Sequence, residues 1–175
     1  MQKKNKAFTL IELILYLSLV SVLVIGVTSF FSIIKDTSIK EKSISTVEEE
    51  GAFSADILSQ KIREARNVCI PTTSGTSGQT LMLDMDTNCN SHTANRVRFA
   101  LDGSGILQIT EGAGSPVNLT DDRVLLSSLI FVKAEDPLGG SPSINYTFIM
   151  QAKSYSGTSE YYYSKTFSGG GTLRE

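Results

Sequence analysis

One carboxylate, Glu12, interrupts the run Ala7–Ile34, AFTLIELILYLSLVSVLVIGVTSFFSII, which has no other charged side chain. A carboxylate inside a membrane-crossing helix costs about 2.5–3.5 kcal/mol on insertion scales. Such an acid therefore either meets a partner or lies close enough to the interface to reach water. Tyr16 is four residues on and shares its helix face, as a hydrogen-bond donor or as a packed ring. Cys69 and Cys89 are the two cysteines. In an oxidising compartment they would pair, closing a loop of about 20 residues worth about 3 kcal/mol in the chain-entropy model. The alternative is two free thiols, with Cys69 serving as a buried apolar residue. Asp84-Met-Asp86-Thr-Asn88 opens like a calcium loop. It then has Cys89 where glycine is needed and Asn95 where a bidentate glutamate is needed, which leaves a polar turn. His92, the only histidine, lies in no recognisable catalytic motif, and the chain contains no G-x-S-x-G, HExxH, CxxC or phosphate-binding loop. The expectation is a non-enzymatic chain with no catalytic residue, cofactor or metal. A net charge of -2, with 19% charged residues, gives no basic surface for nucleic acid.

The elements that place these residues follow from hydropathy and period. The run 7–34 exceeds the roughly 20 apolar residues a helix needs to span a bilayer. Lys3, Lys4 and Lys6 precede it, and Lys35, Asp36 and Lys40 follow it. The positive-inside rule puts the N-terminus in the cytoplasm and the remainder outside. A secretory signal has an h-region of about 7–15 residues ending in small residues. This run is longer and lacks such an ending, so the helix is expected to be retained. No proline occurs before Pro71, so a helix from Phe8 could continue to Arg66, a rod of roughly 85–90 Å. Ile44, Val47, Gly51, Ala55, Leu58, Ile62, Ala65 and Cys69 recur at spacings of three and four, a narrow apolar stripe for packing. Glu48, Glu49 and Glu50 belong to its solvated face. Gly26 and Gly51 are soft points, each costing up to about 1 kcal/mol against alanine.

Phe8-Thr-Leu-Ile-Glu12-Leu13, behind a short basic leader and a small residue, resembles the signature of the type IV prepilin family. The match combines composition, spacing and an oddly placed charge. It departs from the family at Ala7, where glycine is usual and alanine is small enough to be accepted. The resemblance implies cleavage between Ala7 and Phe8 by a prepilin peptidase, and N-methylation of the new terminus at Phe8. It implies partnership with the lipid bilayer, other pilin or pseudopilin subunits and an inner-membrane assembly machinery. The protein would be held in the inner membrane by one pass, then enter an extracellular or periplasmic filament. Cleavage creates an ammonium at Phe8, and Glu12 of an adjoining copy would neutralise it. That pairing favours one axial register. The rival from another class is an extracytoplasmic enzyme or binding domain for which the helix is only an anchor.

After Pro71 the period becomes two. Val97, Phe99 and Leu101 alternate with Arg96, Arg98 and Ala100. Asp102-Gly-Ser-Gly105 turns into a strand over 106–110, and 124–134 is a longer apolar strand. Ile144, Tyr146, Phe148 and Met150 alternate with polar neighbours. Tyr161–Phe167 forms a last strand before a flexible glycine tail at 168–171. The expected fold class is α+β, a long N-terminal helix packed on an antiparallel β-sheet head. Its parts are a leader at 1–7, a membrane and filament-core helix at 8–34, an amphipathic continuation at 35–68 and a β-rich head at 69–175. One face of a single sheet would cover the helix stripe. The order of elements, with SADILSQKIREARNV at 54–68, is similar to minor pilins and pseudopilins of the J and W classes.

Overall fold

The computed structural model describes residues 9–71, 75, 77–86, 89, 93–135, 140–153 and 162–174. It divides into two units, Met1–Glu41 and Lys42–Glu175. A single α-helix, α1 (Leu10–Glu64), supplies the described part of the first unit and the opening of the second. The fold is α+β, a long N-terminal helix followed by antiparallel sheets.

In the first unit every described residue is exposed. Up to Ile34 the helix is apolar almost all round and has no polar side to turn outward. It is the one helix among the described residues long and apolar enough to cross a membrane.

In the second unit α1 buries Val47, Gly51, Leu58 and Ile62 of the expected stripe together with Ser54, while Ile44 and Ala55 are half-buried. The helix stops at Glu64 rather than Arg66, because the Arg66 amide donates to the Asp84 carbonyl at 3.0 Å and so begins a strand contact. Cys69 consequently sits in a strand and is not the last member of the helical stripe.

Nine strands follow among the described residues: β1 (Asn67–Ile70), β2 (Ser77–Gly78), β3 (Leu81–Asp84), β4 (Arg96–Leu101), β5 (Leu107–Glu111), β6 (Val117–Asn118), β7 (Val124–Ala134), β8 (Ser143–Ala152) and β9 (Ser164–Thr172). They form two antiparallel sheets rather than the single one expected, ordered β1-β3-β4-β5-β6 and β2-β7-β8-β9. The reason is the amount of inward apolar surface. Leu81, Leu83, Val97, Phe99 and Leu107 come from the first sheet and Leu129, Phe131, Ile144, Phe148 and Met150 from the second, all buried in one core with Leu58 and Ile62. A narrow helical stripe cannot cover both sets, so the sheets share the core. The Leu126 amide donates to the Gly105 carbonyl at 2.8 Å, joining the sheets at the 102–106 turn.

The glycine tail expected at 168–171 is instead part of β9. Its glycines permit close packing. A Cβ on Gly169 would lie 2.4 Å from the Tyr146 hydroxyl, and one on Gly170 would lie 2.5 Å from the Ile144 carbonyl oxygen. The strand end is tied down as well, since Leu173 is buried and the Arg174 amide donates to the Ala65 carbonyl at 2.9 Å.

Candidate processing and assembly site

Glu12 lies in the first turn of α1, where the Glu12 and Leu13 amides donate to the Thr9 carbonyl at 3.1 and 3.3 Å. The partial positive charge at a helix N-terminus favours an acid at this place. Thr9-Leu-Ile-Glu12 also has the capping-box spacing, in which the glutamate side chain reaches back towards the N-cap amide. Sequence reading overlooked this local role, although the threonine three residues before the acid signals it. Ala7 and Phe8, expected to flank the cut, lie outside the described residues, as do His92 and Tyr161.

Beyond Glu12 the helix carries polar side chains whose hydrogen bonds are closed within it. The Ser18 hydroxyl donates to the Leu15 carbonyl at 2.8 Å, Ser21 to Leu17 at 2.8 Å, Ser29 to Ile25 at 2.9 Å and Ser32 to Thr28 at 3.1 Å. Back-bonding of this kind satisfies these four hydroxyls in a medium without water. Leu13, Tyr16, Leu17 and Val20 make an apolar patch on one side. The segment thus suits both lipid and the flanks of other apolar helices.

In the second unit Cys69 and Cys89 form a disulfide, with their Cα atoms 5.5 Å apart and the two residues 20 positions apart in sequence. It links β1 to the segment before β4, where an Arg96 guanidinium N–H donates to the Cys89 carbonyl. The Asp84 carboxylate lies close by, with its oxygen and the two sulfurs all within 4.8 Å of one another. The sulfurs are committed to each other, so the trio as it stands offers only the carboxylate to a cation. Asp84 ends β3, is buried, accepts from the Asp86 amide at 2.9 Å and lies 3.9 Å from Arg96. It is therefore a strand-end acid rather than part of a solvated turn.

The helix is held to the second sheet by polar contacts that flank the stripe. The Tyr146 hydroxyl donates to the Ala55 carbonyl at 2.8 Å and lies 2.8 Å from the Ser59 hydroxyl. Glu48 accepts from the Tyr163 hydroxyl at 2.7 Å and from Lys165. The Lys165 hydrogen bond, followed by that of Tyr163, holds the Glu48 carboxyl below its ordinary range, and Glu48 in turn raises Lys165 and Tyr163.

Residues 2–28 match the family model described as the prokaryotic N-terminal methylation motif. The N-terminus is that of the type IV pilin and pseudopilin family. The matched stretch contains Glu12 and most of the apolar part of α1, and a pilin-type motif of this kind implies processing by a prepilin peptidase. A pilin-type segment continuous with a long apolar helix is consistent with anchoring in the membrane at the N-terminus. No curated protein and no solved structure gives a significant match.

Proposed function

We propose that the protein is a non-enzymatic structural subunit of a type IV pilus or a type II secretion-like pseudopilus, of the minor J or W kind. The observation that carries this reading is the methylation motif at 2–28 running without a break into α1. The precursor waits in the inner membrane with its N-terminus in the cytoplasm. A prepilin peptidase cuts between Ala7 and Phe8, the new amine at Phe8 is methylated, and an assembly machinery draws the subunit into a filament.

Glu12 then acts twice. In the bilayer it lies at the helix start, where the peptide dipoles favour an acid. In the filament it meets the Phe8 ammonium of an adjoining copy, so that only one axial stagger leaves neither charge unpaired. The apolar helix exchanges lipid for sibling helices and exposes no apolar area to water along the way.

N-terminal sequencing and intact mass of the membrane-extracted protein test the reading. A start at Phe8 carrying one added methyl group is the expected result. A start at Met1, or one beyond Gly26, would replace it with the anchored extracytoplasmic domain.

A further inference from the structure

Asp84 is a buried acid whose side chain the fold only half satisfies. It is 1% exposed, and its Oδ1 accepts from the Asp86 amide at 2.9 Å. Its Oδ2 has no hydrogen-bond partner among the described residues. Arg96 stands opposite in the register of β3 and β4, but its Nε stays 3.9 Å from that oxygen and is likewise without a hydrogen bond among them. A buried carboxylate oxygen in that condition is costly unless something else meets it. Sulfur shares its surroundings, since one Asp84 carboxylate oxygen and the Sγ atoms of Cys69 and Cys89 all lie within 4.8 Å of one another. A change of register places Cys69 there. Val68 faces Leu83 and Ile70 faces Met82, so Cys69 is the extra residue of a bulge in β1, and bulges re-aim side chains next to sites.

We propose that, once the disulfide is reduced, Cys69, Cys89 and Asp84 hold a zinc ion, the fourth place going to water. Zinc takes thiolate and carboxylate ligands in a tetrahedron, at about 2.3 Å to sulfur and about 2.0–2.2 Å to oxygen. Ligands at those lengths lie about 3.5–3.8 Å from one another, within the span these three atoms already occupy. Two sulfurs rule against calcium and magnesium, which take oxygen ligands. The carboxylate rules against copper(I), which favours thiolate and thioether alone. The charges also balance. Two thiolates and a carboxylate bring three negative charges, the ion brings two positive ones, and the Arg96 guanidinium supplies the third. Arg96 donates to the Cys89 carbonyl as well, the place of an outer group that steadies a ligand. The electrons come from an external dithiol or phosphine, which is oxidised as the disulfide becomes two thiols. Each thiol then gives its proton to solvent on joining the ion, so two protons leave for each zinc bound. Oxidised or reduced, β1 thus stays tied to the approach of β4, by a covalent bond in one state and by a metal in the other. The inference does not depend on the filament reading, because all its residues lie in the second unit.

The test is titration of the detergent-solubilised full chain with cobalt(II), an optical stand-in for zinc, after reduction by a phosphine in metal-free buffer. One cobalt per chain is expected, with the visible bands of a tetrahedral ion and a sulfur-to-cobalt charge-transfer band, all displaced by zinc. Zinc should also raise the thermal midpoint of the reduced protein and leave that of the oxidised protein unchanged. Asp84→Asn should weaken cobalt binding at least about tenfold. Asp84→Cys should raise the charge-transfer band from that of two thiolates to that of three, a readout that a purely structural role for the acid would not move. Cys69→Ser with Cys89→Ser should abolish the band. Reduced wild type without tetrahedral cobalt bands would overturn the proposal, and that measurement stands whether or not the variants fold. Equal binding by oxidised protein or by the double-serine variant would overturn it too. A charge-transfer band unchanged in Asp84→Cys, with Asp84→Asn binding as wild type does, would remove Asp84 from the site and the proposal with it.

Discussion

Gly26 and Gly51 look alike in the sequence, each a glycine inside a helical stretch. Their surroundings differ. A Cβ on Gly26 meets nothing within 4 Å, whereas one on Gly51 would lie 2.1 Å from the Phe167 ring. Alanine at either place gains helix propensity of up to about 1 kcal/mol. At position 51 overpacking opposes it by about 1–3 kcal/mol, because Phe167 is already stacked on Phe148 at 5.2 Å. Gly51→Ala should therefore lower the thermal midpoint, and adding Phe167→Leu should recover part of the loss. Gly26→Ala should leave the midpoint unchanged or raise it. Circular dichroism melts of the three variants decide the matter, and equal effects at 26 and 51 would contradict the packing argument. Tyr146→Phe tests the hydroxyl that bridges Ala55 and Ser59. Loss of these bonds should cost about 0.5–1.5 kcal/mol in denaturant unfolding, and Ser59→Ala should add little to it, because the two substitutions remove the same contact.

Two devices hold elements together, and each has its own lever. The disulfide fixes β1 to the approach of β4. Cys69→Ser with Cys89→Ser should reduce unfolding free energy by about 2–4 kcal/mol, and reductant should do the same to the wild type without affecting the double variant. The second device is the cluster of Glu48, Tyr163 and Lys165 between α1 and the β9 region. The folded-state pKa of Glu48 is depressed, so its contribution is complete above the ordinary glutamate range and is lost as pH falls through the lowered value. The folded-state pKa values of Lys165 and Tyr163 are raised, so theirs is complete below their ordinary values and is lost as pH rises through the raised ones. The stability profile should be flat between these limits. Thermal midpoints measured from neutral pH into the acid range should fall more steeply for wild type than for Glu48→Gln. Parallel profiles would show that the cluster adds nothing.

At the scale of the whole molecule, the proposed function has the methylation motif and the apolar helix act together in processing and assembly. Glu12→Ala should leave insertion intact or improve it, since an apolar helix inserts more readily without the acid, and should abolish incorporation into filaments. Membrane fractionation read beside filament shearing separates the two effects. Undiminished incorporation of the alanine variant would remove the charge-pairing mechanism.

Most of the architecture could be read directly from residue order, because hydropathy and period are local properties. The run from Ala7 to Ile34, the stripe through Val47, Leu58 and Ile62, and the alternation in β4 and β8 each needed only near neighbours in the chain. The processing motif was legible for the same reason, being a contiguous string around Glu12. Other features depended on residues far apart in sequence. In β9, Tyr146 and Ile144 approach so closely that a Cβ at 169 or 170 would collide with them, whereas composition alone reads the glycines at 169–171 as a tail. The division into two sheets reflects the total apolar area that had to be enclosed, which no single segment reveals. Strand register likewise decides that Lys133 and Lys165 share the parity of the buried Ile144 and Met150. Local pattern determined which elements exist, and tertiary packing decided which of their surfaces remained available.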